Sequence, residues 1–378
     1  MAKLKDIGVI ITGNTPKTSD PKNYETTDIP FIKPSDISDD AISYLHNSEF
    51  YISEYAREKS RIVPVDSILF TCIGIIGKIA VNKVECAFNQ QINAIIPDKS
   101  KCLTDYLVYA LQSKKRLLQE TANAPVVPIL NKTQFSEIEI ELPSLEQQEK
   151  ISVQLNKIND LISQRNLQLS KLDELVKSRF IELFGDPETN PKGLEKVLLS
   201  DIAEYFNGLT YSPDNVTNDG TVVLRSSNIQ NSQLDFADTV RVSGSIKEKL
   251  FVKDNDILMC SRNGSARLVG KVALIKNLSE PMTFGAFMMI IRSKYYPYLM
   301  TYFQMDAFRR QISTGATTTI NQITGNMLNK ISLPLPKMTD INEFAAFVEQ
   351  TDKLKFEVKE SLEKLETLKK SLMQQYFG

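Results

Sequence analysis

Four cysteines, Cys72, Cys86, Cys102 and Cys260, and a single histidine, His46, are the side chains of this sequence best suited to metal or nucleophile chemistry. No two of the cysteines stand at C-x-x-C spacing, and one histidine completes neither a Cys/His zinc site nor a triad. Free, buried thiols are the expectation. His46 lies in the polar stretch Tyr44-Leu45-His46-Asn47-Ser48 and reads as a solvated side chain. A phosphate loop needs Gly, four residues, then Gly-Lys-Ser/Thr, and Gly264 to Val272 misses both the spacing and the last residue. Gly74 stands only three residues before Gly77, so Gly77-Lys78 and Gly270-Lys271 read as turns entering strands. There is no Asn/Asp-Pro-Pro-aromatic tetrapeptide of the kind that adenine methyltransferases carry. The Glu-x-Lys of a nuclease has one candidate, Glu357-Val358-Lys359, on a helical segment with no suitable aspartate nearby. The chain is expected to catalyse nothing on its own and to bind no metal or cofactor itself.

What remains is a set of polar, partly basic loops. One group comprises Lys17, then Lys33 and Ser35, then Asn89, Gln90 and Gln91. The other comprises Arg225, Ser226 and Asn228, then Arg262, Asn263 and Arg267, then Thr318 and Asn321. These are the side-chain types that reach base edges and phosphates. Any one loop reads first as ordinary turn chemistry. Two domains carrying such loops, joined by a rigid rod, have a mechanical meaning: each reads a few base pairs of duplex DNA and the rod sets the distance between them.

The elements that must position these loops follow from the rest of the chain. With 378 residues, 42% hydrophobic and 24% charged, the sequence suits two globular domains. The longest apolar run, Ile68 to Val81, is too short to span a bilayer and contains Lys78, and no signal-peptide order opens the chain, so a cytoplasmic protein is expected. Lys and Arg number 45 against 46 Asp and Glu, which by itself suggests no polyanion partner. The balance is an average: residues 1–143 hold 16 basic and 18 acidic side chains, residues 193–336 hold 15 and 12. Weak, salt-sensitive DNA binding by the isolated chain is the expectation.

The sequence repeats itself at an offset of 193 residues. Residues 170–185 match 363–378 at seven of sixteen positions, ending in Phe184-Gly185 and Phe377-Gly378. The same offset pairs Ile138, Ile140, Leu142 and Pro143 with Ile331, Leu333, Leu335 and Pro336, and Gly77-Lys78-Ile79-Ala80 with Gly270-Lys271-Val272-Ala273. Each unit opens with β-rich stretches, such as Arg61 to Phe70 and Asp256 to Cys260, between turn residues. Each closes with a segment free of Pro and Gly, Leu145 to Phe184 and Met338 to Phe377. Alternate steps of four and three from Ile151 meet eight apolar residues in ten, and from Phe344 seven in ten, with breaks near Thr351 and Lys355. Such a stripe predicts two helices, each about 60 Å long, paired antiparallel as a coiled coil. The expectation is a mixed α/β (α+β) fold: globular domains at 1–143 and 186–336, helices at 144–185 and 337–378, arranged as a dumbbell with approximate internal two-fold symmetry.

This layout resembles the specificity subunit of Type I restriction-modification systems over nearly the whole chain. The matching residues are Leu4-Lys5-Asp6-Ile7 with Leu199-Ser200-Asp201-Ile202, the block Ser67-Ile68-Leu69-Phe70 to Gly77-Lys78, and Leu142-Pro143 followed by Glu146-Gln147-Gln148-Glu149-Lys150-Ile151. In the second copy that last motif is degenerate, Thr339-Asp340-Ile341-Asn342-Glu343-Phe344. The resemblance implies a non-catalytic subunit whose two target-recognition domains read a bipartite, asymmetric site. It implies two methyltransferase subunits docked on the helices, with Gln147, Gln148, Lys150, Lys171 and Lys364 as candidate contacts. Those subunits would bring S-adenosylmethionine and flip the target adenine, and motor-nuclease subunits would bring ATP and Mg. A coiled-coil scaffold protein and the recognition subunit of a bifunctional restriction enzyme are the alternatives.

Overall fold

Ile68–Thr71 is a strand whose alternate side chains enter two different cores. Ile68 and Phe70 lie with Tyr106, Leu107 and Leu111 of the helix Thr104–Thr121, whereas Leu69 lies with Ala80, Phe88 and Ile92. A strand buried on both faces needs no polar residue on either, which is why its sequence reads as an unbroken apolar run. The structure is a computed structural model and describes residues 1–39, 41–121, 128–313 and 322–378. It divides into two units, residues 1–166 with 360–378, and residues 167–359.

In the first unit that strand is the middle of a five-stranded sheet in the order Gly8–Thr12, Ile92–Pro97, Ile68–Thr71, Ile79–Asn82, Ser43–Leu45. All neighbours are antiparallel except the last pair. A second sheet runs Tyr51–Ile52, Ile29–Ile32, Cys86–Phe88, Ile62–Val63, with Phe31 opposite Ala87 in its parallel pair. Ala2–Lys3 pairs with Glu139–Ile140.

The second unit repeats this pairing. Its first sheet runs Glu204–Asn207, Met288–Arg292, Ile257–Cys260, Val272–Leu274. Its second runs Val216–Thr217, Val240–Val242, Thr221–Leu224, Met282–Phe284, and again it holds one parallel pair, Thr221–Leu224 with Met282–Phe284, here at the end of the sheet. Lys196–Leu198 pairs with Ser332–Pro334. Ile257 and Met259 face one core and Leu258 and Cys260 the other. The duplication is therefore one of backbone topology as well as of sequence. The units differ where the first has the long helix Thr104–Thr121 and the second has two short ones, Tyr296–Tyr302 and Asp306–Ser313.

The two long helices run Leu145–Phe184 and Met338–Phe377, 40 residues each, with the bounds expected from the sequence. Each unit contains one half of each helix. Every position of the two apolar stripes is buried or half-buried. Within the first unit Tyr376 Oη donates to Gln154 Oε1 (2.7 Å) and Arg165 Nε to Ser361 Oγ (3.2 Å). Within the second, Lys355 pairs with Asp173 (2.7 Å) and Arg179 with Glu343. As numbers rise on one helix they fall on the other, so the pairing is antiparallel in each unit. Two of the polar positions in the second stripe are absorbed locally. Thr351 is buried and returns its Oγ1–H to Phe347 O (2.9 Å), and half-buried Lys355 holds Asp173 across the seam.

Helix ends follow from their residues. Ser144 Oγ accepts from Gln147 N (3.3 Å) while Gln147 Oε1 accepts from Ser144 N (3.4 Å), a reciprocal cap at the start of the first helix. Gly185, at φ 77°, stops that helix, and Lys192 Nζ donates to the freed carbonyl of Leu183 (2.9 Å). The four cysteines are free and buried, and His46 is exposed. Among the described residues no helix is long and apolar enough to cross a membrane.

Candidate nucleic-acid interface

In each unit five loop segments are tied together by main-chain hydrogen bonds in one common pattern. In the first unit Asn14 N donates to Phe88 O (3.0 Å), Asn89 N to Ile32 O (3.1 Å), Cys72 N to Gln91 O (2.8 Å) and Leu130 N to Cys72 O (2.8 Å). In the second Leu209 N donates to Phe284 O (2.7 Å), Gly285 N to Leu224 O (2.9 Å), Ser261 N to Phe287 O (3.0 Å) and Ile323 N to Ser261 O (2.7 Å). Isolated bridges extend the match, Ile73 with Ile129 and Arg262 with Gln322. At the centre of each frame two backbones approach too closely for a side chain. A Cβ on Gly13 would lie 2.2 Å from Asn89 O, and one on Gly208 would lie 2.1 Å from Gly285 O.

The duplicated Gly-Lys pair anchors these frames from beneath. Gly77 (φ 91°) and Gly270 (φ 81°) make the turns into Ile79–Asn82 and Val272–Leu274, as expected. The lysine that follows reaches under the neighbouring loop. Buried Lys78 Nζ donates to Pro34 O (3.2 Å) and Ile37 O (3.1 Å) and pairs with Asp39 (3.1 Å). Lys271 Nζ donates to Ile229 O (3.0 Å). The loop so held is a short 3-10 turn in both units, Pro34–Asp36 and Ser226–Asn228. Its last side chain closes it: Asp36 Oδ2 accepts from Lys33 N (2.8 Å), and Asn228 Oδ1 accepts from Arg225 N (2.8 Å).

The frames bring several candidate residues together. In the first unit Thr15 Oγ1 donates to exposed Gln90 Oε1 (2.6 Å), and Asn89 Nδ2 donates to Gln91 Oε1 (2.9 Å). Lys33 places its ammonium 3.1 Å from the centroid of the Phe50 ring, with Ser35 exposed beside it. Lys17 is exposed on the loop that follows Gly13. In the second unit Asn263 Nδ2 donates to Ser226 Oγ (3.3 Å), Arg225 pairs with Asp238 (2.7 Å), and Arg262 and Arg267 are exposed. Thr318 and Asn321 lie outside the described residues.

Three candidates are spent inside the fold instead of on its surface. Asn228 is buried, and its amide donates to Asp235 O (2.8 Å) and Asp238 O (2.9 Å). Asn89 is buried by its bond to Gln91 and by the turn it makes there. Gln148, expected on a partner-facing helix surface, is fully buried. Its Oε1 accepts from Leu103 N (2.9 Å) and its Nε2 donates to Lys101 O and Pro143 O (2.9 Å each). One repeat later the same place is held by buried Ile341, within the apolar core. That exchange accounts for one position of the second copy's degenerate motif. Gln147, Lys150, Lys171 and Lys364 are exposed, Gln147 capping its helix and Lys150 pairing with Glu146 (2.6 Å).

Sequence reasoning missed two frame residues, Phe287 and Gln322, both exposed. Phe287 directly precedes the apolar strand Met288–Arg292, so its type pointed to the core. Among the described residues of the frame no side-chain cluster has the geometry of a catalytic group. The nearest thiol, Cys72, is buried against Asn93 and its pKa is pushed up to about 12 by that burial, so it is no nucleophile.

Comparison with known proteins bears on this arrangement. The family model for the Type I restriction modification DNA specificity domain matches residues 1–171 and again 191–369. The MjaIX specificity subunit of Methanocaldococcus jannaschii is 33% identical over 225 residues, covering 54% of this chain and 52% of that protein. The HindI specificity subunit of Haemophilus influenzae is 32% identical over 148 residues, covering 39% of this chain and 32% of that one. The match thus spans about half the length of the first relative and about a third of the second. The crystal structure of the S subunit of a Type I restriction-modification system from M. genitalium shares the fold at a TM-score of 0.57. It is 13% identical and covers 100% of this chain and 95% of that one.

Proposed function

Because this chain belongs to the family of Type I restriction-modification DNA specificity domains, we propose that it is a non-catalytic DNA-reading subunit whose two units each read one half of a bipartite, asymmetric site. One observation carries the reading. The same five-loop frame is built twice on main-chain bonds, yet its side chains differ at matched places: Gln91 against Phe287, Ile73 against Arg262, Lys33 against Arg225. Identical scaffolds with different side chains meet different base edges, so the two half-sites differ. The long helices fix the spacing between half-sites and dock two methyltransferase subunits, with Gln147, Lys150, Lys171 and Lys364 on the exposed helix faces as contacts. Those subunits supply S-adenosylmethionine, and motor-nuclease subunits supply ATP and Mg.

Exchange of residues 198–336 for those of a relative tests the reading. Methylation mapping of the reconstituted complex should show one half-site replaced and the other kept; a change in both halves sinks the assignment of one half-site to one unit. Four residues inserted into Leu145–Phe184 lengthen that helix by about 6 Å. The preferred spacer should then grow by one or two base pairs at roughly 3.4 Å each.

A further inference from the structure

Among the charged side chains of the second unit's loop frame, Arg262 is held in a way the others are not. Its backbone is fixed on both sides, by Arg262 N donating to Phe287 O (3.1 Å) and by the bridge to Gln322. Its guanidinium lies over the Phe287 ring, 5.5 Å from the centroid. Among the described residues that guanidinium has no hydrogen-bonded or ion-paired partner. Four other arginines of this unit are engaged: Arg225 by Asp238, Arg241 by Glu280, Arg292 by Asp256, and Arg309 by Val269 O. Arg267 is exposed, and among the described residues no ring lies beneath it to orient its plane. Phe287 itself is 60% exposed in the short connection between Met282–Phe284 and Met288–Arg292, an apolar surface whose contact with protein includes the arginine above it.

We propose that Arg262, oriented by Phe287, reads a guanine in the half-site of the second unit; this rests on the DNA-reading role proposed above. A ring beneath a guanidinium restricts its orientation and leaves its N–H donors free for another partner. Two donors of the guanidinium fork match the O6 and N7 acceptors that only guanine presents side by side in the major groove. A phosphate contact requires no such fixing, because charge alone attracts phosphate from any orientation. In the first unit the matched places hold Ile73 and Gln91, so no arginine stands at this point of the frame. The guanine contact therefore belongs to one half-site only.

The test is selection of sequences from a library of random DNA duplexes by the full chain with its methyltransferase subunits, wild type against Arg262→Gln, Arg262→Lys and Phe287→Leu. The wild type should enrich a bipartite motif with a required G·C pair in one half. Arg262→Gln should lower the preference for that pair about tenfold or more and leave the other half unchanged. Arg262→Lys, which keeps the charge but not the fork, should lose the same preference, and Phe287→Leu should weaken it. Thermal unfolding of each variant, unchanged for an exposed side chain, excludes misfolding. An unaltered motif in Arg262→Gln overturns the assignment. So does a uniform loss of affinity for all sequences that Arg262→Lys restores, since that marks a phosphate contact. A wild type that enriches no motif overturns the DNA-reading role itself.

Discussion

Phe377 lies with its ring 5.4 Å from that of Tyr106, tilted at 42°, and at the matching place Phe184 meets Tyr298 edge-on, 5.2 Å away. Both tyrosines spend their hydroxyls alike, Tyr106 Oη donating to Glu141 O (2.9 Å) and Tyr298 Oη to Pro334 O (2.7 Å). The repeated Phe-Gly that closes each sequence unit is thus a docking point. The last turn of each long helix is seated on the globular part that lies in the same unit, the first helix on the second domain and the second helix on the first.

The two docks differ in depth. Phe184 is buried among Phe180, Tyr298 and Phe344, whereas Phe377 is half-buried. Phe184→Ala should cost about 3–5 kcal/mol and Phe377→Ala about 1–3 kcal/mol. Urea unfolding checks the order, and equal costs would show that the second dock is as tightly filled as the first.

Lys78 and Lys271 should prove unequal too. Lys78→Met removes a charged donor from two carbonyls inside the first unit, at about 2 kcal/mol or more, whereas Lys271→Met removes one such bond, at about 1 kcal/mol. Loosening the turn at Lys33 should blur the base preference of one half-site only. Selection from random duplexes alongside unfolding curves separates the two effects.

Much of the architecture was legible because helices and strands write their period into residue type. The bounds of Leu145–Phe184 were readable from an apolar stripe with no Pro or Gly to interrupt it. The loop frame was not, because bonds such as Cys72 N to Gln91 O use groups every residue carries and leave no mark on side-chain identity. Gln148 was misread as a surface contact for a related reason: composition cannot tell a solvated amide from one satisfied by three main-chain partners. The repeat itself held the missing signal, since the matching residue is Ile341.

The thiols set an alkaline limit. Burial pushes Cys72, Cys86 and Cys102 up to about 12 from an ordinary 9.0, and Cys260 upward as well. A group whose folded pKa is raised contributes stability in full below its unfolded value, and that stability is lost as pH climbs toward the folded one. Stability should therefore decline from about pH 9 upward. At pH 8 no thiol of the folded chain should react with a thiol-specific chromogenic reagent, and all four should react in denaturant. Rapid titration of even one in the native protein would contradict the assignment.

Lys369 works against the seam that holds it. It occupies a stripe position, half-buried, and desolvation lowers its pKa. Lys369→Met should raise the Tm by about 1–3 °C at neutral pH. The gain should shrink as pH rises toward 10.5, because the wild-type lysine then sheds its charge and with it the penalty. Calorimetry at two pH values is sufficient, and a Tm that falls on substitution would show the ammonium to be better solvated than its burial implies.

Main-chain bonds do not depend on which residue supplies them. On the DNA-reading proposal, a mutation at Gln90, Ile73 or Phe287 would alter what the frame offers to DNA while leaving the hydrogen bonds that shape it intact, whereas one at Gly13, Gly208 or Lys78 strikes the frame itself. The first set is therefore where heritable variation can accumulate without loss of folded protein. A lineage pressed to abandon one target and adopt another has a route made of single substitutions, each yielding a chain that still folds.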